Sequence, residues 1–225
     1  YVAGTRYKLG DYAPYLYKTT DYGKTWKKIT NGIAEEHFTR VVREDLNQKG
    51  LLYAGTENGM YLSFDDGANW KSFQLNLPIV SITDLALKNN DLIVATQGRS
   101  LWMIDDVTVL HQLAKAKGKG NYLFKPKDSY RMNGASRKGS LTAGTNHPNG
   151  VMVYFNLEDP SDKDIRLSFL NSRKDTLQTF GTKDKKHQLS VEKGSNLFVW
   201  DTRGDGAERL GGMILWWAST EAPKA

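Results

Sequence analysis

The chain has 225 residues, enough to bury a sizeable core in one or two domains. Its formal net charge is +6, but the basic residues are scattered rather than interleaved with stacking aromatics, which argues against nucleic acid as a partner. There is no cysteine, so disulfides and thiol chemistry are excluded, and the longest apolar run, 213–218, is far too short to span a bilayer.

Abundant Gly, Tyr and Trp, with no long amphipathic helical stretch, predict an all-β chain. It opens on Tyr1-Val2-Ala3-Gly4-Thr5, which matches Leu52-Tyr53-Ala54-Gly55-Thr56. Next comes Thr19-Thr20-Asp21-Tyr22-Gly23-Lys24-Thr25-Trp26, whose twin is Ser63-Phe64-Asp65-Asp66-Gly67-Ala68-Asn69-Trp70. Both read Ser/Thr-x-Asp-x-Gly-x-x-Trp, and Asp and Trp recur after 44 residues. Two copies at one period mark a repeat. The leading strands are 51 residues apart, so the first copy carries seven extra residues within 6–14. A chain that opens in mid-repeat is expected to be a piece of a longer protein, so a missing signal peptide carries no information.

One full unit has strands at 39–44, 51–56, 60–63 and 70–73. Four short strands in about 40–45 residues is the size of one propeller blade. A degenerate third unit has strands at 81–87, 91–96 and 101–105; the Gly and Trp of the motif are absent. There Asp105-Asp106 caps a short helix over 107–113, with Val107, Leu110 and Ala114 on one face. After a Lys/Gly connector, 121–124 reads as one more strand and 128–150 as a linker or long surface loop. Period-2 alternation returns at 151–155 and 165–170, more weakly at 176–180 and 187–191, and strongly at 196–201. That spacing suggests an incomplete β-sandwich. The expected organisation is propeller blades over 1–127, a linker over 128–150 and a truncated β-sandwich over 151–225.

The chemistry of the repeated motif is local. Asp21 and Asp65 can accept hydrogen bonds from N–H groups of their own turns, and Gly23 and Gly67 supply positive φ. Thr19 and Ser63 can bond back to the turn, while Trp26 and Trp70 anchor it over the blade core. A residue repeated from unit to unit does not by itself mark one active site. These eight residues therefore read as turn staples rather than as catalytic groups.

The two segments resemble Asp-box (BNR) repeats, as found in sialidases, xyloglucanases and sortilin-type propellers. Three further strings are Tyr53-Ala54-Gly55-Thr56-Glu57-Asn58-Gly59, Ala95-Thr96-Gln97-Gly98-Arg99-Ser100-Leu101-Trp102 and Phe198-Val199-Trp200-Asp201. They resemble a group of large exported bacterial proteins, sortilin-like or glycosyl-hydrolase-like, in which a propeller precedes a small immunoglobulin- or fibronectin-like domain. The stretch Gly212-Met213-Ile214-Leu215-Trp216-Trp217 through Pro223 resembles the one before that domain's final hairpin. The resemblance covers nearly the whole chain. It implies the last blades of a propeller, followed by an incomplete immunoglobulin- or fibronectin-like sandwich. It also implies export to the periplasm, the outer surface or the medium. No activity follows from it, because one fold hosts many functions.

Strand parity locates a ligand face. In an antiparallel blade the loops after strands two and four share one end, and the Asp boxes, after strand three, share the other. The first end carries Tyr7, Tyr12, Glu35, Glu36, Glu57 and Arg99, with the tyrosines as sugar-stacking candidates. His37, His111, His147 and His187 show no i, i+4 pairing, so no metal is signalled. Neither a nucleophile elbow nor a phosphate loop is present, and no cofactor is implied. The leading expectation is a non-catalytic module binding a glycan, peptide or protein, with the remaining blades of the parent chain as its structural partners. The alternative is part of a sialidase- or xyloglucanase-like glycoside hydrolase. Such an enzyme needs two carboxylates facing one cleft, and here most would lie in blades outside the chain.

Overall fold

A computed structural model describes residues 1–115, 120–130, 148–161 and 163–206. Among the described residues the chain is all-β apart from one short α-helix and one 3-10 turn, and it divides into two compact units, Tyr1–Lys117 and Gly118–Ala225. Every sheet is small and antiparallel, and none closes on itself among the described residues. No described helix is long and apolar enough to cross a membrane.

The first unit holds three sheets in chain order. The first is β1 (Val2–Arg6), β2 (Asp11–Lys18) and β3 (Lys27–Lys28). The second is a four-stranded meander of β4 (Thr39–Glu44), β5 (Leu52–Thr56), β6 (Gly59–Ser63) and β7 (Lys71–Ser72). The third is β8 (Ile82–Lys88), β9 (Asp91–Thr96) and β10 (Leu101–Ile104), followed by α1 (Thr108–Lys115).

Every residue of β5 and β6 is buried, because β1 and β2 pack beside β4 while β8 packs beside β4 and β5. Side-chain alternation divides the middle sheet between two cores. Leu52, Ala54, Tyr61 and Trp70 join Leu16, Ile29 and Ile33 of the first repeat. Tyr53, Met60 and Leu62 join Ile82, Leu85, Leu92 and Val94 of the third sheet. The helix after β10 starts as expected: Asp106 Oδ1 accepts the Thr108 N–H at 2.9 Å, and Val107 is buried in the second of these cores.

The second unit has a three-stranded sheet of β11 (Tyr122–Leu123), β12 (Val151–Leu157) and β15 (Gly194–Trp200), beside a hairpin of β13 (Arg166–Leu170) and β14 (Thr176–Gly181). Their apolar faces meet in one core, where Phe169 lies 4.3 Å from Trp200 and Phe180 lies 4.6 Å from Phe198, centroid to centroid.

Three expectations are corrected by this arrangement. The extra residues at 6–14 do not all lie in the loop expected at the ligand end. The 3-10 turn Tyr7–Leu9 takes three of them, and the rest lengthen the hairpin, so Tyr12 sits on β2. The alternation at 187–191 does not make a strand. One parallel bridge, Gly181↔Gln188, leaves a loop that plugs Leu189 into the core. Residues 121–124 belong to the second unit rather than to the first, because Tyr122 pairs with Asn156 and Leu123 with Phe155. Most of the expected linker (131–147) and the stretch 212–223 lie outside the described residues.

Candidate functional site

Both copies of the Ser/Thr-x-Asp-x-Gly-x-x-Trp motif fold into the same hydrogen-bonded turn. In the first, the Thr19 hydroxyl donates to Asp21 Oδ1 at 2.8 Å and accepts the Gly23 N–H at 2.8 Å. Asp21 then accepts the Thr25 N–H at 2.9 Å and the Thr25 hydroxyl at 2.6 Å. In the second, Ser63 bonds Asp65 Oδ1 at 2.8 Å and accepts the Gly67 N–H at 3.0 Å, while Asp65 accepts the Asn69 N–H and side-chain amide at 2.8 and 2.7 Å. Gly23 and Gly67 have φ of 88° and 82°, following Tyr22 at 57° and Asp66 at 61°. A Cβ on Gly67 would also lie 2.6 Å from Ile29.

Both carboxylates are thus consumed by their own turns. The hydroxyl and N–H of Thr25, with the Thr19 hydroxyl, hold Asp21 down at a pKa of about 2. Partial burial pushes Asp65 up, but the Asn69 side chain and N–H and the Ser63 hydroxyl leave it below the usual range. A depressed carboxyl stabilises the fold above its unfolded value near 3.8, and that contribution is lost as pH falls through about 2. A carbon-detected titration of Asp21 is expected to give a midpoint near 2; a midpoint at the ordinary aspartate value would undo this account of the turn.

The two boxes differ in what lies beneath the Trp. Trp70 is 3% exposed, and its Nε1–H donates to the Ile29 carbonyl, 2.7 Å away on the preceding repeat. Trp26 is 47% exposed, and its Nε1–H turns back to the Gly23 carbonyl at 3.1 Å. Asp66 ties the second box further to the first repeat through Lys18 and the Tyr1 hydroxyl.

At the opposite end of the sheets the structure gathers three of the six ligand-face candidates. Tyr7 stacks on Phe38 at 5.0 Å between centroids, and Tyr12, 54% exposed, tilts against the same ring at 6.1 Å. The Arg40 guanidinium lies 5.1 Å from the Phe38 centroid and 5.6 Å from that of Tyr7. It donates to Glu57 Oε2 from Nε at 2.7 Å, with Nη2 at 2.6 Å. Tyr7, Tyr12, Phe38, Arg40 and Glu57 therefore form one aromatic step with a charge pair beside it.

Glu35, Glu36 and Arg99 do not join this cluster. Glu35 and Glu36 are exposed and make no side-chain hydrogen bond or ion pair among the described residues. Arg99 is exposed, and its carbonyl accepts the Trp102 indole N–H at 2.8 Å. Phe38 and Arg40 were not among the candidates, because Phe38 closes the loop before β4 as an apolar residue and Arg40 lies on the strand itself. The visible signal was the aromatic-Thr-Arg string at 38–40, facing the Glu57 turn across the β4–β5 pair.

Comparison of the chain with protein-family models and with curated proteins found no match. Chemically, the cluster offers flat aromatic surface, one paired carboxylate and one paired guanidinium. Glu57 meets a cation, not a second carboxylate. Among the described residues no group of three His, Cys, Asp or Glu side chains could hold a metal ion.

Proposed function

We propose that this chain is a non-catalytic binding module of an exported protein. Its first unit supplies Asp-box propeller blades, and its second unit part of an immunoglobulin- or fibronectin-like sandwich. The ligand, a glycan, peptide or protein, docks at the end opposite the Asp boxes. The observation that carries this reading is the Tyr7–Phe38–Tyr12 step beside Arg40–Glu57. Tyr12 presents an exposed ring on a strand and Tyr7 a half-buried one, both set against the buried Phe38, and such fixed aromatic area suits recognition, whereas a glycosidase needs two carboxylates across a cleft.

The duplicated turn, and a middle sheet flanked by its neighbours on both faces, support the blade reading. So does Trp26: by analogy with Trp70, its open face fits the outgoing strand of another blade.

The test is binding of this chain to arrayed glycans and peptides, with Tyr12→Ala alongside. Tyr12 is exposed, so the variant is expected to melt with the parent yet to bind about tenfold more weakly, the loss of one aromatic contact. Turnover of a glycosidic substrate by this chain, abolished by Glu57→Gln, would overturn the non-catalytic reading.

A further inference from the structure

The charge at the aromatic step selects among ligands. The chain as a whole carries +6, which taken alone would favour an acidic partner. The step does not share that excess. Arg40 is paired with Glu57, and Arg6 with Asp11 at 3.4 Å. The remaining charged side chains in the loops at this end are Lys8 and Arg99 on one side and Glu35 and Glu36 on the other, all exposed. They leave no net charge. The lysines Lys18, Lys24 and Lys27 instead flank the first Asp box, at the far end of the same sheet, while Lys28 turns its ammonium onto the Tyr15 ring, 4.7 Å from the centroid, rather than onto the step.

We infer that the ligand of the aromatic step is an uncharged saccharide rather than a sialylated, uronic or sulfated one; this rests on the binding-module reading above. A carboxylate or sulfate brought here would find no free cation in contact with the rings, since the one guanidinium that touches them already holds Glu57. Desolvating an anion without a partner opposes binding. A neutral sugar meets no such opposition. Its apolar ring face covers Tyr7 and Tyr12. Its hydroxyls, which both donate and accept, match the Arg40–Glu57 pair, whose side chains remain 23% and 35% exposed.

The experiment is calorimetric titration of this chain with two neutral oligosaccharides, cellohexaose and a xyloglucan heptasaccharide, and two acidic ones, sialyllactose and hexagalacturonate. Each is measured at about 50 mM and about 500 mM NaCl, because screening separates charge attraction from stacking. A neutral sugar is expected to bind with an affinity that changes less than about twofold between the two salts, and the acidic sugars at least about tenfold more weakly. Tyr12→Ala should lower the neutral affinity about tenfold, and Lys27→Gln, at the far end, should leave it unchanged. Preferential, salt-sensitive binding of an acidic sugar would overturn the inference while leaving the binding module intact. If no saccharide binds but an arrayed peptide does, the saccharide class is wrong. Binding of neither removes the module reading itself.

Discussion

Trp70→Ala is expected to destabilise the first unit by about 3–5 kcal/mol, the usual cost of emptying a buried Trp site. Trp70 is 3% exposed and packs with Leu16, Ile29, Ile33, Val42 and Leu52, so truncation opens a void between two repeats. Its indole N–H bonds the Ile29 carbonyl and its backbone N–H bonds the Asn31 carbonyl at 2.8 Å. The contact is tight enough to require glycine next door: Gly32 has φ of 94°, and a Cβ there would lie 2.2 Å from the Trp70 carbonyl oxygen. Trp26→Ala serves as the internal control. The motif letter is the same, but the side chain is half exposed and bonds only within its own turn, so about 1 kcal/mol or less is expected. Glu57→Ala should likewise cost about 1 kcal/mol or less, since its ion pair with Arg40 is partly exposed. Chemical denaturation of the three variants decides the matter. Equal, small losses would mean that Trp70 does not staple the second repeat to the first.

That contrast marks the boundary of what the sequence could say. The 44-residue period revealed both turns down to the hydroxyl, carboxylate and glycine, because the bonds that make the turn span only a few residues. The strands expected at 39–44, 91–96 and 101–105 were legible from the same repeat, and they form at Thr39–Glu44, Asp91–Thr96 and Leu101–Ile104. Burial of the two Trp side chains was not legible, because it depends on which neighbour lies beneath each, a property of packing rather than of the motif. Glu57 looked like a free carboxylate until β4 brought Arg40 across from it. The alternation of His187, Leu189 and Val191 misled in the opposite direction. One buried leucine is enough to explain it, and no partner strand forms a ladder with that segment among the described residues.

The second large effect is expected at Asp45, a residue the motif analysis passed over. It follows β4, and its side chain is 1% exposed. Oδ1 accepts the N–H groups of Asn47 and Gln48 at 2.8 and 2.9 Å. Oδ2 accepts the hydroxyl of the fully buried Tyr53 at 3.0 Å and faces His111 Nε2 at 2.9 Å. His111 lies on α1, so one carboxylate closes the turn before β5, satisfies a core tyrosine and clamps the helix. Asp45→Ala leaves the Tyr53 hydroxyl and the His111 ring without their acceptor in the interior, for an expected loss of about 3–5 kcal/mol. His111→Ala removes one of four partners and should cost less, about 1–3 kcal/mol, with α1 exchanging its amide protons first. Burial pushes the Asp45 carboxyl up, but the bonds from His111, the Asn47 N–H and Tyr53 outweigh it and leave it below the usual aspartate range. A folded value below the unfolded one means that this contribution is complete above about pH 4 and is lost as pH falls through the folded value. The stability difference between the parent and Asp45→Ala should therefore shrink on acidification below about pH 4, which parallel melts across that range will show. A difference that stays constant down to about pH 2 would mean that packing, not the carboxylate, holds the helix in place.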